Sequence, residues 1–166
     1  MSGAPGRPKF LADCMLAKVA RWLAFLGYDS AFATKSDHDD IGLLERAQRE
    51  GRVFLTRDTK IPDVSGLRKI VIREQRFEDQ LKRVIDDLGL APDPALFFTR
   101  CTLCNRPLAA VRREEVLDKI PPKVRGLKTS FYRCPSCRRL YWSGTHVARA
   151  AQKLRAAGIL PASDPG

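Results

Sequence analysis

The 166 residues, 44% apolar and 30% charged, suit a soluble globular chain with one ordinary core and room for a small second module. No apolar run is long enough to span a bilayer, and the Gly/Pro-rich stretch Met1 to Pro8 lacks the apolar centre of a signal peptide, so a disordered tail and a cytoplasmic, membrane-free protein are expected. The formal charge of +11 is uneven: residues 1–99 hold 16 Lys/Arg against 15 Asp/Glu, whereas residues 100–166 hold 14 against 4.

Along the first half, strand and helix patterns alternate. Lys9 to Ala12 is a short apolar run with strand character. Met15 to Leu26 places Leu16, Val19, Ala20, Leu23 and Leu26 on one helical face, and Gly27 stops it. Ser30 to Ala33 reads as a second strand. Asp39 or Asp40 caps a helix through Leu43, Leu44, Ala47 and Glu50, ended by Gly51. Arg52 to Thr56 and Lys69 to Ile72 are further strands. Phe77 to Leu88 is amphipathic, with Gly89 at its end.

This order predicts an α/β fold for residues 9–95, a parallel sheet flanked by helices. Leu90 to Ala95, with Pro92 and Pro94, reads as a linker. Residues 96–157 form a basic module closed by a helix from Val147 to Ala157, and 158–166 read as a second tail.

Cys101-Thr-Leu-Cys104 and Cys134-Pro-Ser-Cys137 define that module. Two C-x2-C turns about thirty residues apart supply four thiolates for a structural zinc site. With four thiolates and one Zn²⁺ counted, residues 100–166 still carry about +8, so a polyanion is the expected partner, nucleic acid before a membrane surface. Residue 105, after the first knuckle, and residue 138, after the second, occupy positions where Gly is common. Asn105 takes the left-handed conformation readily; Arg138 does so with strain. Cys14, within an apolar run, is expected to be a small buried hydrophobe.

Open parallel sheets build their sites at the carboxyl ends of strands. Asp13 follows the first strand and Asp58 follows Val53 to Thr56. If those strands are neighbours, the two carboxylates converge. The run Asp37-His38-Asp39-Asp40 supplies a third acid. Converging carboxylates without a histidine triad suit Mg²⁺ or Mn²⁺. Two of the acids have a plainer reading, Asp58 as a turn former and Asp40 as a helix cap, whereas Asp13, between Ala12 and Cys14 at the edge of a core, is harder to dismiss.

From Phe10-Leu-Ala-Asp13 through Leu16, Arg21, Leu26-Gly-Tyr-Asp29, Asp40-x3-Leu44 and Leu55-Thr-Arg-Asp58, the chain resembles the Mut-seven C-terminal RNase domain family of PIN-like nucleases. The likeness continues through Arg100-Cys-x2-Cys-Asn105, Cys134-x2-Cys137 and Tyr141-Trp-Ser-Gly-Thr-His146, from Lys9 to about Leu154. It implies a PIN-like catalytic domain, a zinc ribbon and metal-dependent hydrolysis of RNA. By position, Asp13, Asp40 and Asp58 match the acids that hold Mg²⁺ or Mn²⁺, with Asp39 and Glu45 as alternatives for the middle one. Where the family often carries further acids, this chain reads Glu74-Gln-Arg76, leaving Glu74 and Asp63 as weak candidates.

Lys18, Arg21 and Arg57 flank those acids and are candidates for holding phosphates. In the ribbon, Arg133, Arg138 and Arg139 lie among Phe131, Tyr132, Tyr141 and Trp142, so arginines would grip RNA while at least two of the aromatics form the ribbon's own core. His146 is expected to lie outside the zinc ligand set, and His38 to be an exposed loop residue. The expected partner is RNA, with tRNA or ribosome-associated RNA among the candidates. Many PIN-like proteins act as toxins, so an antitoxin is an open partner. A non-catalytic RNA- or ribosome-binding protein is the alternative reading, and a protein-docking adaptor a third.

Overall fold

The computed structural model describes residues 6–37 and 39–162. The first half is the expected parallel sheet, β1 (Lys9–Ala12), β2 (Asp29–Phe32), β3 (Arg52–Thr56) and β4 (Lys69–Val71), in the order β2-β1-β3-β4. Ala12 stands opposite Phe32 on one side and Leu55 on the other. Period-two alternation splits the strand residues between two cores. Phe10, Ala12 and Leu55 face α1 (Ala17–Phe25) and α3 (Phe77–Asp87), whereas Leu11 and Phe54 face α2 (Asp40–Glu50). Strands covered on both faces explain why Phe10-Leu-Ala and Val53-Phe-Leu are continuous apolar runs.

The cysteine module holds a three-stranded antiparallel sheet of β5 (Ala109–Val111), β6 (Phe131–Arg133) and β7 (Leu140–Trp142), with a one-turn helix α4 (Pro122–Arg125). Val116, Ile120, Val124 and Phe131 make its own small core. Phe131 and Tyr141 are buried, as expected of ribbon core residues.

Both expected tails need correction. Arg7 already packs on the sheet domain, its guanidinium 4.1 Å from the Tyr28 ring centroid and bonded to the Gly27 carbonyl at 3.0 Å. At the other end α5 (Thr145–Ala156) returns to the first domain. Leu154, Ile159 and Leu160 are buried in the core that holds α1 and α3, each worth about 1.5–3 kcal/mol of apolar burial. Residues 1–5 and 163–166, the outer parts of those tails, lie outside the described residues.

The start of the ribbon module, just after the linker, is clamped as well. Phe97 and Phe98 lie against Phe25 at 5.0 and 4.6 Å between ring centroids. Gly27, at φ +86°, lets Leu96 approach so closely that a Cβ would meet its carbonyl oxygen at 2.5 Å. Among the described residues no helix is long and apolar enough to cross a membrane.

Candidate functional site

Because the chain leaves β1 toward β2 and leaves β3 toward β4, the loops after β1 and β3 diverge at a topological switch point, where open α/β sheets place their sites. Asp13 sits there, only 8% exposed. Its Oδ1 accepts the Leu16 N–H at 3.1 Å, capping a short 3-10 turn over Cys14–Leu16. Its Oδ2 accepts the Thr56 hydroxyl at 2.7 Å and the Arg57 N–H at 2.9 Å. Thr56, buried at the end of β3, in turn accepts the Asp58 N–H at 3.0 Å. The two expected acids are therefore stitched together through Thr56, a residue that sequence reasoning passed over. Asp58 is exposed, and its Oδ1 accepts the Lys60 N–H at 2.8 Å in a local turn.

Asp13 also lines a cleft of about 480 Å³ with Thr34, Asp37, Asp39, Asp40 and Leu43. Within this acidic run the roles divide. Asp37 binds the loop, accepting the Thr34 N–H at 2.8 Å and pairing with Arg46 at 3.4 Å. The Thr34 hydrogen bonds, and then the Arg46 charge, hold its carboxyl below the ordinary carboxylate value. Asp39 is the cap of α2, accepting the Gly42 N–H at 2.6 Å, and a Cβ at Gly42 would sit 3.0 Å from that same oxygen. Asp40 begins α2, is exposed, and has no side-chain hydrogen bond or ion pair among the described residues. The structure thus brings Asp13 and Asp40 to one cleft, with Asp58 outside its walls. Among the described residues no three carboxylates have oxygens all within 4.8 Å of one another.

Cys14 is exposed and lines the same cleft, contrary to the buried position expected. The cause is Asp13, which turns the chain out of the sheet one residue before it. The flanking cations lie as follows. Lys18 Nζ stands 4.3 Å from the Phe77 ring centroid and the Arg21 guanidinium 5.3 Å from that of Phe32. Arg57 donates to the Glu74 carbonyl. Glu74 is itself committed to Arg83 at 3.3 Å, and Asp63 to Lys69 at 2.8 Å. Glu45 is exposed on α2, and His38 lies outside the described residues.

The four cysteines form the second centre. Cys101, Cys104, Cys134 and Cys137 are the one group of three or more metal-binding side chains, among the described residues, whose ligand atoms all lie within 4.8 Å. Cys101 and Cys137 sulfurs are 3.7 Å apart. A tetrahedron with metal–sulfur bonds of about 2.3 Å has edges of about 3.8 Å, so the donor set fits zinc. Each knuckle closes by a backbone bond, Asn105 N–H to the Cys101 carbonyl at 2.9 Å and Arg138 N–H to the Cys134 carbonyl at 3.0 Å. Asn105 and Arg138 have φ of +58° and +64°, the left-handed conformation expected at both positions. For Arg138 that conformation costs about 1–2 kcal/mol.

Tyr141 supports the cluster, its hydroxyl 3.1 Å from the Cys101 sulfur. Burial pushes the Cys101 thiol up, but hydrogen bonds from Tyr141 and from the Cys104 and Leu103 backbone outweigh it and bring it down to about 7. Burial, then the neighbouring sulfurs of Cys137 and Cys101, pushes Cys104 up to about 12. His146 is not in the ligand group; its ring stands against Phe98 and Trp142. Of the ribbon arginines, Arg138 and Arg139 are exposed and Arg133 is half-buried.

The first knuckle is bolted to the sheet domain. Asn105 Oδ1 accepts the Ser30 N–H at 2.8 Å, and its Nδ2 donates to Asp29 at 2.6 Å. Asp29 also pairs with Arg52 at 2.6 Å. Burial pushes the Asp29 carboxyl up, but the Arg52 and Asn105 bonds outweigh it and hold it below the ordinary value.

A parallel α/β domain with carboxylates at its switch point, joined to a basic four-cysteine ribbon, defines a class of two-centre protein: an acid cleft beside a closed thiolate site. The chain belongs to the Mut7-C RNAse domain family, whose model matches residues 8–154. Comparison with curated proteins and with solved structures returned no match.

Proposed function

We propose that the protein is a PIN-like, metal-dependent ribonuclease that hydrolyses RNA phosphodiester bonds in the acid cleft and grips its substrate through the zinc-bound ribbon. Membership of an RNase family over residues 8–154 carries the reading, and the cleft shared by Asp13 and Asp40 supports it.

The residues fit a hard divalent ion. Mg²⁺ takes one or two carboxylates and keeps several waters, so it does not require three carboxylates in contact. An ionised carboxylate has about four acceptor sites. Asp13 spends three on Leu16, Thr56 and Arg57, which leaves one for a metal, while Asp40 has all of its own. When bound there, Mg²⁺ or Mn²⁺ would cancel phosphate charge and lower the pKa of a coordinated water. Asp13, held by three donors, fixes the position of the site; Asp40 supplies an open carboxylate; Asp58, outside the cleft's walls, braces Asp13 through Thr56. Arg21 and Arg57 hold neighbouring phosphates, and Arg138 and Arg139 supply outer contacts.

A second reading, RNA binding without cleavage, draws on the same Asp13, whose oxygens are largely taken up by the protein. Incubating a labelled RNA pool with wild type and with Asp40→Asn and Asp58→Asn, with and without Mn²⁺, separates the two. Cleavage is expected to need the ion, to fall by about 100-fold or more in Asp40→Asn, and to fall by the 10–100-fold typical of outer-shell changes in Asp58→Asn. Cleavage that is indifferent to divalent ions, or full activity in both variants, overturns the hydrolytic site. No cleavage at all, with tight binding, establishes the second reading.

A further inference from the structure

The parallel sheet has two edges, β2 and β4, and the fold treats them differently. On β2 the ribbon covers the edge, because Asn105 Oδ1 accepts the Ser30 N–H at 2.8 Å. On the outer side of β4 no strand pairs among the described residues. Its bonds to β3 show which groups are left over. The Phe54 N–H bonds the Arg68 carbonyl at 2.9 Å, and the Ile72 N–H bonds the Thr56 carbonyl at 2.8 Å. Arg68, Ile70 and Ile72 therefore turn their backbone groups to β3. By alternation Lys69 and Val71, which stand opposite Phe54 and Thr56, turn theirs outward. Among the described residues no partner meets the N–H or C=O of either. Just beyond them the Arg73 N–H is taken by its neighbour Glu74, whose Oε2 lies at 3.0 Å.

Charge selects what this edge accepts. A cleft of about 470 Å³ runs beside it, walled by Arg68, Lys69, Val71, Arg73, Arg83 and Asp87. Lys69 is engaged by Asp63 at 2.8 Å, and Arg83 by Asp87 at 2.7 Å. Arg68 and Arg73, exposed at the two ends of β4, have no carboxylate partner among the described residues. A second copy paired antiparallel on this edge would set arginines against arginines, which is unfavourable. Phosphates offer the outward carbonyls no donor. Another peptide backbone supplies donors and acceptors at the same two-residue period, and acids on it would meet the arginines.

We propose that the β4 edge is a docking site for a protein partner presenting an extended acidic segment, which joins the sheet as a fifth strand through Lys69 and Val71 and sets carboxylates on Arg68 and Arg73. The proposal stands apart from the ribonuclease reading, since none of these four residues lines the acid cleft.

The test uses the zinc-loaded full chain. A random octapeptide library is selected on it, and the strongest binder is synthesised with a fluorescein label for anisotropy. The selected peptides are expected to carry two Asp or Glu about five residues apart around β-branched residues. Val71→Pro removes an N–H that faces away from β3, so it leaves the sheet's own ladder whole. It is expected to weaken the peptide about tenfold or more, with Arg68→Ala and Arg73→Ala each costing about fivefold. The Lys69 and Val71 amides are expected to gain protection from hydrogen exchange when the peptide binds. If Val71→Pro melts well below wild type, a peptide N-methylated at its central amides makes the same test on the unchanged protein. Selection without acidic enrichment overturns the proposal. So does binding that tolerates both Val71→Pro and the N-methylated peptide, which leaves the arginines as guards of a bare edge. Displacement of the peptide by polyuridylate equally from wild type and Val71→Pro assigns the cleft to phosphates instead. A concentration-dependent dimer that Val71→Pro abolishes assigns the edge to a second copy, and likewise refutes the acidic partner.

Discussion

Asp13→Asn tests the link between fold and chemistry most sharply. The substitution is nearly isosteric, but the site offers three donors and no acceptor: the Leu16 N–H at 3.1 Å, the Thr56 hydroxyl at 2.7 Å and the Arg57 N–H at 2.9 Å. An amide NH2 must replace one oxygen, so at least one donor at this largely buried residue faces another donor. Hydrogen bonds to a charged partner contribute about 1.5–3 kcal/mol, so a loss of about 2 kcal/mol is expected. At about 2–4 °C per kcal/mol for a chain of this length, the melting temperature falls by roughly 4–8 °C. The assay is thermal melting by circular dichroism with and without Mn²⁺. Wild type should gain about 2.7 kcal/mol at a metal concentration one hundred times the dissociation constant, and the variant little. A variant that melts with wild type refutes the three-donor hub. A variant that gains the same stabilisation from Mn²⁺ and cleaves normally refutes the metal role of Asp13.

Four further outcomes are expected. Asn105→Gly keeps the left-handed knuckle but removes the bonds to Ser30 and Asp29; zinc content should be unchanged while stability falls by about 2 kcal/mol and the Ser30 amide loses protection from hydrogen exchange. The Asp29 anchor has a pH signature. Its carboxyl is depressed in the fold, so its contribution is present above the unfolded pKa of about 3.9 and lost as pH falls through the lower folded value, visible as a ribbon-specific loosening in acid. Chelating the zinc should melt the small core around Cys101, Cys134 and Tyr141 and abolish the salt-dependent part of RNA binding, while amides of β1 and β3 stay protected; simultaneous loss of both regions would contradict two separable centres. Iodoacetamide should modify exposed Cys14 in the zinc-loaded protein and block cleavage, with RNA slowing the labelling; a fully active, Cys14-modified protein would remove that side chain from the cleft.

Local signals made most of the sheet domain legible. β3 is bounded by Gly51, at φ +63°, and by the polar turn from Arg57, so its five residues were readable in place. α2 carries its own cap in Asp39 and its own stop in Gly51. Both left-handed knuckle residues followed from the C-x2-C turn alone. What escaped depends on partners far along the chain. Thr56 meets Asp13 across 43 residues, and Asn105 meets Ser30 across 75. Ile159 and Leu160 looked like tail because Gly158 and Pro161 flank them, yet Gly158 has φ +69° and the Ile159 N–H bonds the Leu154 carbonyl at 2.9 Å. That is the end of α5 folding back, and an apolar residue after a helix-ending Gly was the available sign of it.

The two centres have opposite electrostatic duties. A cleft walled by Asp13, Asp37, Asp39 and Asp40 repels a polyanion until divalent ions neutralise it. The basic ribbon would attract the same polyanion, but a zinc ion held by its four cysteines would have no open ligand position for chemistry. On a loose tether the ribbon would raise the local RNA concentration without choosing where the strand is cut. Here it is held at three places: Asn105 on the edge strand, Phe97 and Phe98 against Phe25, and Leu154 with Ile159 and Leu160 in the main core. On the proposed function, such a mount would fix the distance between grip and cleft, so that a bound strand would be presented to Asp13 and Asp40 at a set position. On the same reading, zinc held by the four cysteines would act on the cleft through that mount, by keeping Asn105 left-handed and in reach of β2.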